Sequence, residues 1–292
     1  MNQQEVLSKM QTDMEMRGFS AASKLSYTTR VKYFQNHFNK SAYEMHEDEV
    51  REFLHYQLTE RRNLASSVNT LNATLRFLYD VTLDKPLSYR KVPRAKESRR
   101  IPVLPSKEEL AALFLMIANK KYQAMFMTIY GSGLRLSEAA NLKINDIDSK
   151  NMRIIIRKGK GDKDRFALLP MKTLLALRDY YKAYRPKEWL FENGRGSGLT
   201  TRAIQIAFET IVEKSGINKH MTVHTLRHAF ATHLLNEGAN IYEIKKLMGH
   251  VRIDSTTWYL QLTNNQAMRL KSPLDNPIFS SQPYPMLHSH NG

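Results

Sequence analysis

Residues 224–235 read His-Thr-Leu-Arg-His-Ala-Phe-Ala-Thr-His-Leu-Leu, residues 247–250 read Leu-Met-Gly-His, and Tyr259 follows nine positions later. The first run has helix spacing: His224 and Arg227 are three apart and share a face. Gly238, just after Leu234, Leu235 and Asn236, suits the left-handed position that stops a helix. A second short helix over residues 241–248 would end at Gly249, whose backbone then fixes the direction of His250. Asp254 or Ser255 is placed to cap a further helix, with Tyr259 in its opening turns. Consecutive short elements thus deliver His, Arg, His and Tyr from directions that can converge on one point.

Two stretches upstream belong with these. Gly131-Ser-Gly-Leu-Arg-Leu-Ser-Glu138 sets Arg135 behind a Gly-x-Gly turn, inside an apolar run. Residues 152–157 and 166–169 are short apolar runs around the basic turn Lys158-Gly-Lys-Gly-Asp-Lys-Asp164, which predicts a β-hairpin. A phosphodiester attacked by a phenol needs this mixture of Arg, Lys, His and Tyr. Guanidinium groups neutralise charge on the non-bridging oxygens of the transition state, and in phosphoryl transfer one such group is worth roughly 10³–10⁵ in rate. A lysine or histidine protonates the leaving 5′ oxygen. A histidine orients or deprotonates the phenol, which at an unperturbed pKa of about 10 is a poor nucleophile alone.

The order of the motifs is similar to that of the tyrosine recombinases, the phage integrase family. GSGLRLSE resembles the family's first catalytic-arginine box, HTLRHAFATHLL resembles its His-x-x-Arg box, and LMGH with a tyrosine nine residues on has the family's spacing. The resemblance covers the second domain, and the helical N-terminal part with its basic linker suits the family's core-binding domain. It implies that Arg135 and Arg227 clamp the scissile phosphate. Lys160, reaching the minor groove, would be the general acid for the leaving 5′ hydroxyl, with Lys163 the alternative. His224 would be the acid/base partner, His250 would hydrogen-bond the phosphate, and Tyr259 would form a 3′-phosphotyrosyl link. That link conserves the phosphodiester energy, so the resemblance implies no cofactor, neither metal nor ATP. Glu138, one turn beyond Arg135, would buttress its guanidinium. After the tyrosine many relatives carry Thr-His-Val where this chain has Leu260-Gln261-Leu262; this bears on packing of the tyrosine helix, not on the chemistry.

Composition agrees. Forty-four Lys and Arg face 28 Asp and Glu, a formal +16, which steers encounter with polyanions. There is no cysteine, which excludes disulfides, thiolate metal sites and a Cys nucleophile. His220, His224, His228 and His233 fall close together, but no cysteine or carboxylate completes a zinc set and Arg227 would sit among the ligands. The N-terminus lacks the pattern of a signal peptide and no apolar run reaches membrane-spanning length, so the expectation is a cytoplasmic protein without membrane contact.

Residues 1–88 carry four amphipathic patterns, among them Val6, Met10 and Met14, and predict a helical DNA-clamping bundle. Residues 89–105, YRKVPRAKESRRIPVLP, hold six Lys or Arg, one acid and three prolines, and read as a solvated basic linker. Arg94, Lys96, Arg99 and Arg100 there, with Lys158 and Lys163 in the hairpin turn, are the candidate DNA contacts. Ser106-Lys-Glu-Glu109 is a helix start, opening a catalytic domain over 106–272. An irregular tail, 273–292, contains Leu274, Ile278, Phe279 and Tyr284, which could dock on a neighbour or stay disordered.

The expected fold class is mainly α with a small β-sheet or hairpin, in two domains. The expected function is a site-specific recombinase of a mobile element, acting as a homo-oligomer, a tetramer in synapsis, on double-stranded DNA. An accessory protein is left open. The alternatives are Xer-type chromosome dimer resolution, type IB topoisomerase-like nicking and closing, and a non-catalytic DNA-binding protein. The small helical N-terminal part argues against the topoisomerase, and the intact Arg-Lys-His-Arg-His-Tyr set against the non-catalytic reading.

Overall fold

The computed structural model describes residues 1–97, 103–157 and 164–249. The chain separates into two compact units, Met1–Arg100 and Ile101–Gly292.

The first unit is built from α1 (Gln3–Met16), α2 (Ala21–Phe38), α3 (Glu47–Thr59) and α4 (Ala65–Arg76). The last runs on as a wider π-type turn over Phe77–Thr82. Local chemistry sets the ends. The Asn2 side chain accepts from the Glu5 amide while the Glu5 carboxylate accepts from the Asn2 amide, a reciprocal cap on α1. Asn39, at φ 51°, closes α2 in the left-handed region that asparagine tolerates. The helical spacing of Val6, Met10 and Met14 buries all three against Val31, Phe34, Phe53 and Leu75, with the Phe34 and Phe53 rings edge-on at 5.2 Å.

α4 also buries a polar row. Asn69 holds Ala95 from both sides, donating to its carbonyl (2.9 Å) and accepting from its amide (2.8 Å). Asn72 donates to the Pro93 carbonyl (3.0 Å). Arg76 donates to the carbonyls of Leu87 and Val92, each at 2.6 Å, and its guanidinium lies 3.7 Å from the Tyr89 ring centroid. The basic segment read as a solvated linker is therefore bound along its first half, with Val92 fully buried. The reason is that its prolines and charges leave backbone carbonyls free, and a neighbouring helix supplies donors for them.

The second unit contains α5 (Lys107–Met116), α6 (Lys120–Ser132), α7 (Leu136–Ala140), α8 (Met171–Tyr184), α9 (Thr201–Ser215), α10 (Val223–Asn236) and α11 (Ile241–Met248). An antiparallel sheet of β1 (Ile147–Asp148), β2 (Arg153–Ile156) and β3 (Arg165–Leu168) lies between α7 and α8. The expected hairpin is β2–β3, in register Ile154 to Ala167; β1 is an added strand too short to show a pattern. Ser106 and Glu109 cap α5 reciprocally, as its sequence predicts. α6 runs through the core, where Phe126 and Ile129 meet Leu134, Ile154, Phe208 and Leu226. Phe230, Leu235, Ile244 and Met248 seat α11 on α10. Among the described residues no helix is long and apolar enough to cross a membrane.

Replacing Arg76 by Met would leave the Leu87 and Val92 carbonyls without their donor. We expect a loss of about 1–3 kcal/mol, with faster amide exchange over residues 87–95 by mass spectrometry; unchanged exchange there would contradict the anchoring role.

Candidate active site

The site begins where α6 stops. Gly133 takes φ 61°, and a Cβ there would lie 2.4 Å from the Phe230 ring, so no other residue fits without displacement. The turn delivers Arg135 to the N-cap of α7. The Arg135 amide donates to Glu138 Oε2 (2.8 Å) and its Nη1 to Oε1 (2.6 Å).

α10 brings in Arg227 from the opposite side. Its side chain is almost wholly buried, which for a guanidinium requires close partners. It donates to the Gly133 carbonyl and to the Met248 carbonyl (2.6 Å), and lies 3.7 Å from Glu138 Oε2. A third arginine joins from β3: Arg165 Nη2 donates to Glu138 Oε2 (2.7 Å) and Nη1 to the Leu247 carbonyl (2.6 Å).

The end of α11 completes the arrangement. Gly249, at φ 61°, stops the helix as its position predicts. Helix ends leave carbonyls without intrahelical donors and carry partial negative charge. Here Leu247, Met248 and Gly249 each receive a different arginine, Arg165, Arg227 and Arg135, the last at 2.8 Å. Glu138 is buried, which opposes its ionisation, yet Arg165 and Arg135 hold its carboxyl below the ordinary glutamate range.

His224 stands one turn before Arg227 on α10 with an exposed edge. Partial desolvation, with the charges of Arg227 and Arg135, holds its imidazole below the ordinary histidine range, which favours the neutral ring. His228 packs edge-on against it, ring centroids 4.4 Å apart, and burial with the neighbouring His224 and Arg227 lowers it to about 4. His233 is elsewhere, its Nδ1 2.9 Å from the Tyr130 hydroxyl. Among the described residues no three His, Cys, Asp or Glu side chains group as metal ligands.

Arg135 faces a cleft of ≈800 Å³ shared with Ser137, Asn141, Lys143 and Arg157. Its acids are already engaged: Glu138 by arginines, and Asp146 by Arg157 Nε (2.7 Å) and the Lys143 amide (2.9 Å). Its cations are paired as well: Arg135 with Glu138, Arg157 with Asp146 and Lys143 Nζ with Glu188 Oε1 (2.8 Å).

The structure brings together Arg135, Glu138, His224 and Arg227. Lys158, Lys160, Lys163, His250 and Tyr259 lie outside the described residues, as do Arg99, Arg100, the caps at Asp254 and Ser255, and the tail. Arg94 and Lys96 are exposed in the first unit; Arg94 has Glu97 at 3.9 Å. The residue missed by sequence reading is Arg165. Its signal was present: on β3, Arg165 shares the inward face with buried Ala167, while Phe166 and Leu168 point out. A charge on the core face of a strand needs a partner.

Residues 106–266 match the model of the phage integrase family, and residues 6–89 match a phage integrase N-terminal SAM-like domain. The chain belongs to the phage integrase family, the tyrosine recombinases. A Sinorhizobium fredii protein, y4qK, whose name places it among integrases and recombinases, is 36% identical over 269 residues, covering 91% of this chain and 87% of its own. Tyrosine recombinase XerC of Bacillus subtilis is 30% identical over 292 residues, covering 91% and 92%. A Tn1549 transposon integrase, solved with transposon right-end DNA, shares the fold at a TM-score of 0.74 and 17% identity, covering 96% and 98%.

Glu138→Gln would leave three arginines without their carboxylate, and we expect a loss of about 3–5 kcal/mol in urea denaturation. Because the Glu138 carboxyl is depressed in the fold, its contribution is present above the unfolded pKa and lost as pH falls through the folded one. The variant should therefore lose part of the wild-type stability fall in acid.

Proposed function

We propose that this recombinase cleaves and rejoins double-stranded DNA through a 3′-phosphotyrosyl intermediate on Tyr259. The observation that supports it best is the pair Arg135 and Arg227, brought from α7 and α10 to one carboxylate with His224 beside them. In the proposed step the Tyr259 oxygen bonds to phosphorus and the bond from phosphorus to the 5′ oxygen breaks. The phenolic proton passes to a base, for which neutral His224 is suited, and Lys160 protonates the departing 5′ oxygen. Arg135, Arg227 and His250 take the charge of the non-bridging oxygens. Rejoining reverses these transfers, so energy is conserved in the covalent link. Residues 106–272 carry the chemistry, residues 1–88 clamp the duplex, and Arg94, Lys96, Arg99, Arg100, Lys158 and Lys163 contact its backbone. Two duplexes are joined by a tetramer, and the substrate places the work in the cytoplasm.

The task we assign is movement of a mobile element, supported by the 36% identity to y4qK, a protein named as an integrase or recombinase. The 30% identity to a XerC over nearly the whole chain favours chromosome dimer resolution as the second reading. Sequences captured covalently from a random library of nicked duplexes decide between them: a match at the ends of an element supports the first, a match near the replication terminus the second.

With EDTA and without ATP, wild type should form a denaturant-resistant protein–DNA adduct on these duplexes, and Tyr259→Phe should form none. An adduct persisting in that variant would assign the nucleophile elsewhere. Single-turnover cleavage should fall on the acid side with a midpoint lower than an ordinary histidine would give, since burial and the charges of Arg227 and Arg135 hold His224 neutral to lower pH, and His224→Asn should lose that limb.

A further inference from the structure

Arg165 joins Glu138 to the end of α11, yet no chemical step uses it. It begins β3, directly after the turn that contains Lys160. Its fork makes two divergent bonds: Nη2 to Glu138 Oε2 at 2.7 Å and Nη1 to the Leu247 carbonyl at 2.6 Å. Glu138 Oε2 is the oxygen that also accepts from the Arg135 amide and faces Arg227. Leu247 lies in the last turn of the helix that leads into His250. Arg165 is largely buried, with its side chain 12% exposed. Its aliphatic stem also lies against Gly249, where a Cβ would come within 2.7 Å of its Cδ and Nε. The glycine that ends α11 is therefore required twice, for its φ and for the room Arg165 occupies.

We propose that Arg165 is a positioning residue for strand transfer, setting Arg135 through Glu138 and the approach to His250 through the Leu247 carbonyl. It also ties both to the strand leading from Lys160. A planar fork fits this task because one group must satisfy a carboxylate and a carbonyl in fixed directions; an ammonium keeps the charge but not the geometry. The inference rests on the strand-transfer reading, and the test separates the two.

The full-length protein is assayed on a nicked duplex captured by wild type, measuring the single-turnover rate of adduct formation and, separately, DNA affinity. Arg165→Met should slow adduct formation on the order of 10²-fold, the scale of a misplaced reacting group. Arg165→Lys should recover part of that rate, and both should bind the duplex within about twofold of wild type. A second duplex carries a neutral methylphosphonate at the scissile position, where one charge that the clamp must neutralise is gone. There the deficit of both variants should shrink to less than about tenfold. A merely structural role would depress both substrates equally, in proportion to the folded fraction read from a urea melt; that result overturns the proposal. So do variant rates equal to wild type. Should Arg165→Met not fold, Arg165→Lys carries the comparison. If wild type itself forms no adduct on any duplex, the strand-transfer reading fails first and the inference with it.

Discussion

A single carboxylate, that of Glu138, makes it physically feasible to gather three guanidinium groups in one small region. Arg135, Arg165 and Arg227 would otherwise repel one another at close range; at an effective dielectric near 20, unit charges about 4 Å apart interact by roughly 4 kcal/mol. Glu138 is placed among them, and the Leu247, Met248 and Gly249 carbonyls add three fixed dipoles on the other side. The cluster retains a net positive charge. The orientation of its groups is already fixed by these partners, which is the preorganisation that the proposed strand transfer needs.

The same contacts make the site a property of the whole unit rather than of a loop. Glu138 and Gly133 come from the α6–α7 turn, Arg165 from the sheet, Arg227 from α10 and the three carbonyls from α11. These segments are distant in sequence, and each carries at least one partner that another needs. The α11 carbonyls are held in place by the packing of α10 on α11 through Phe230, Leu235, Ile244 and Met248. A helix end, usually left to water or a cap, here serves as the acceptor that sets three side chains, and its direction is set in turn by one left-handed glycine.

Much of this was legible in the sequence, for identifiable reasons. Residues whose chemistry is local declared themselves: the Ser106 capping box, the Gly249 stop, the three-residue spacing of His224 and Arg227. Arg135 and Glu138 were legible because they lie in one turn. What was not legible depends on long-range partners. Arg165 looks like a strand-end charge until Glu138 and Leu247 are placed beside it. Likewise, Asn69, Asn72 and Arg76 look like ordinary polar positions of α4 until the carbonyls of residues 87–95 lie against them. β1, two residues long, carries no period at all.

Both units bury an arginine among backbone carbonyls, and the comparison shows what each is for. Arg76 receives the Leu87 and Val92 carbonyls, with the Tyr89 ring on its face, and so anchors an irregular basic segment that has no ladder of its own. Arg227 receives the Gly133 and Met248 carbonyls with Glu138 nearby. Lysine would be a poor replacement for either, because its donors diverge from one nitrogen, whereas the planar fork spaces its donors to reach two separated carbonyls. In the first unit that geometry fixes the course of the chain. In the second it fixes a charge beside a cluster of further arginines. The difference lies in the carboxylate: where Glu138 balances the charge, further guanidinium groups can be gathered at one place.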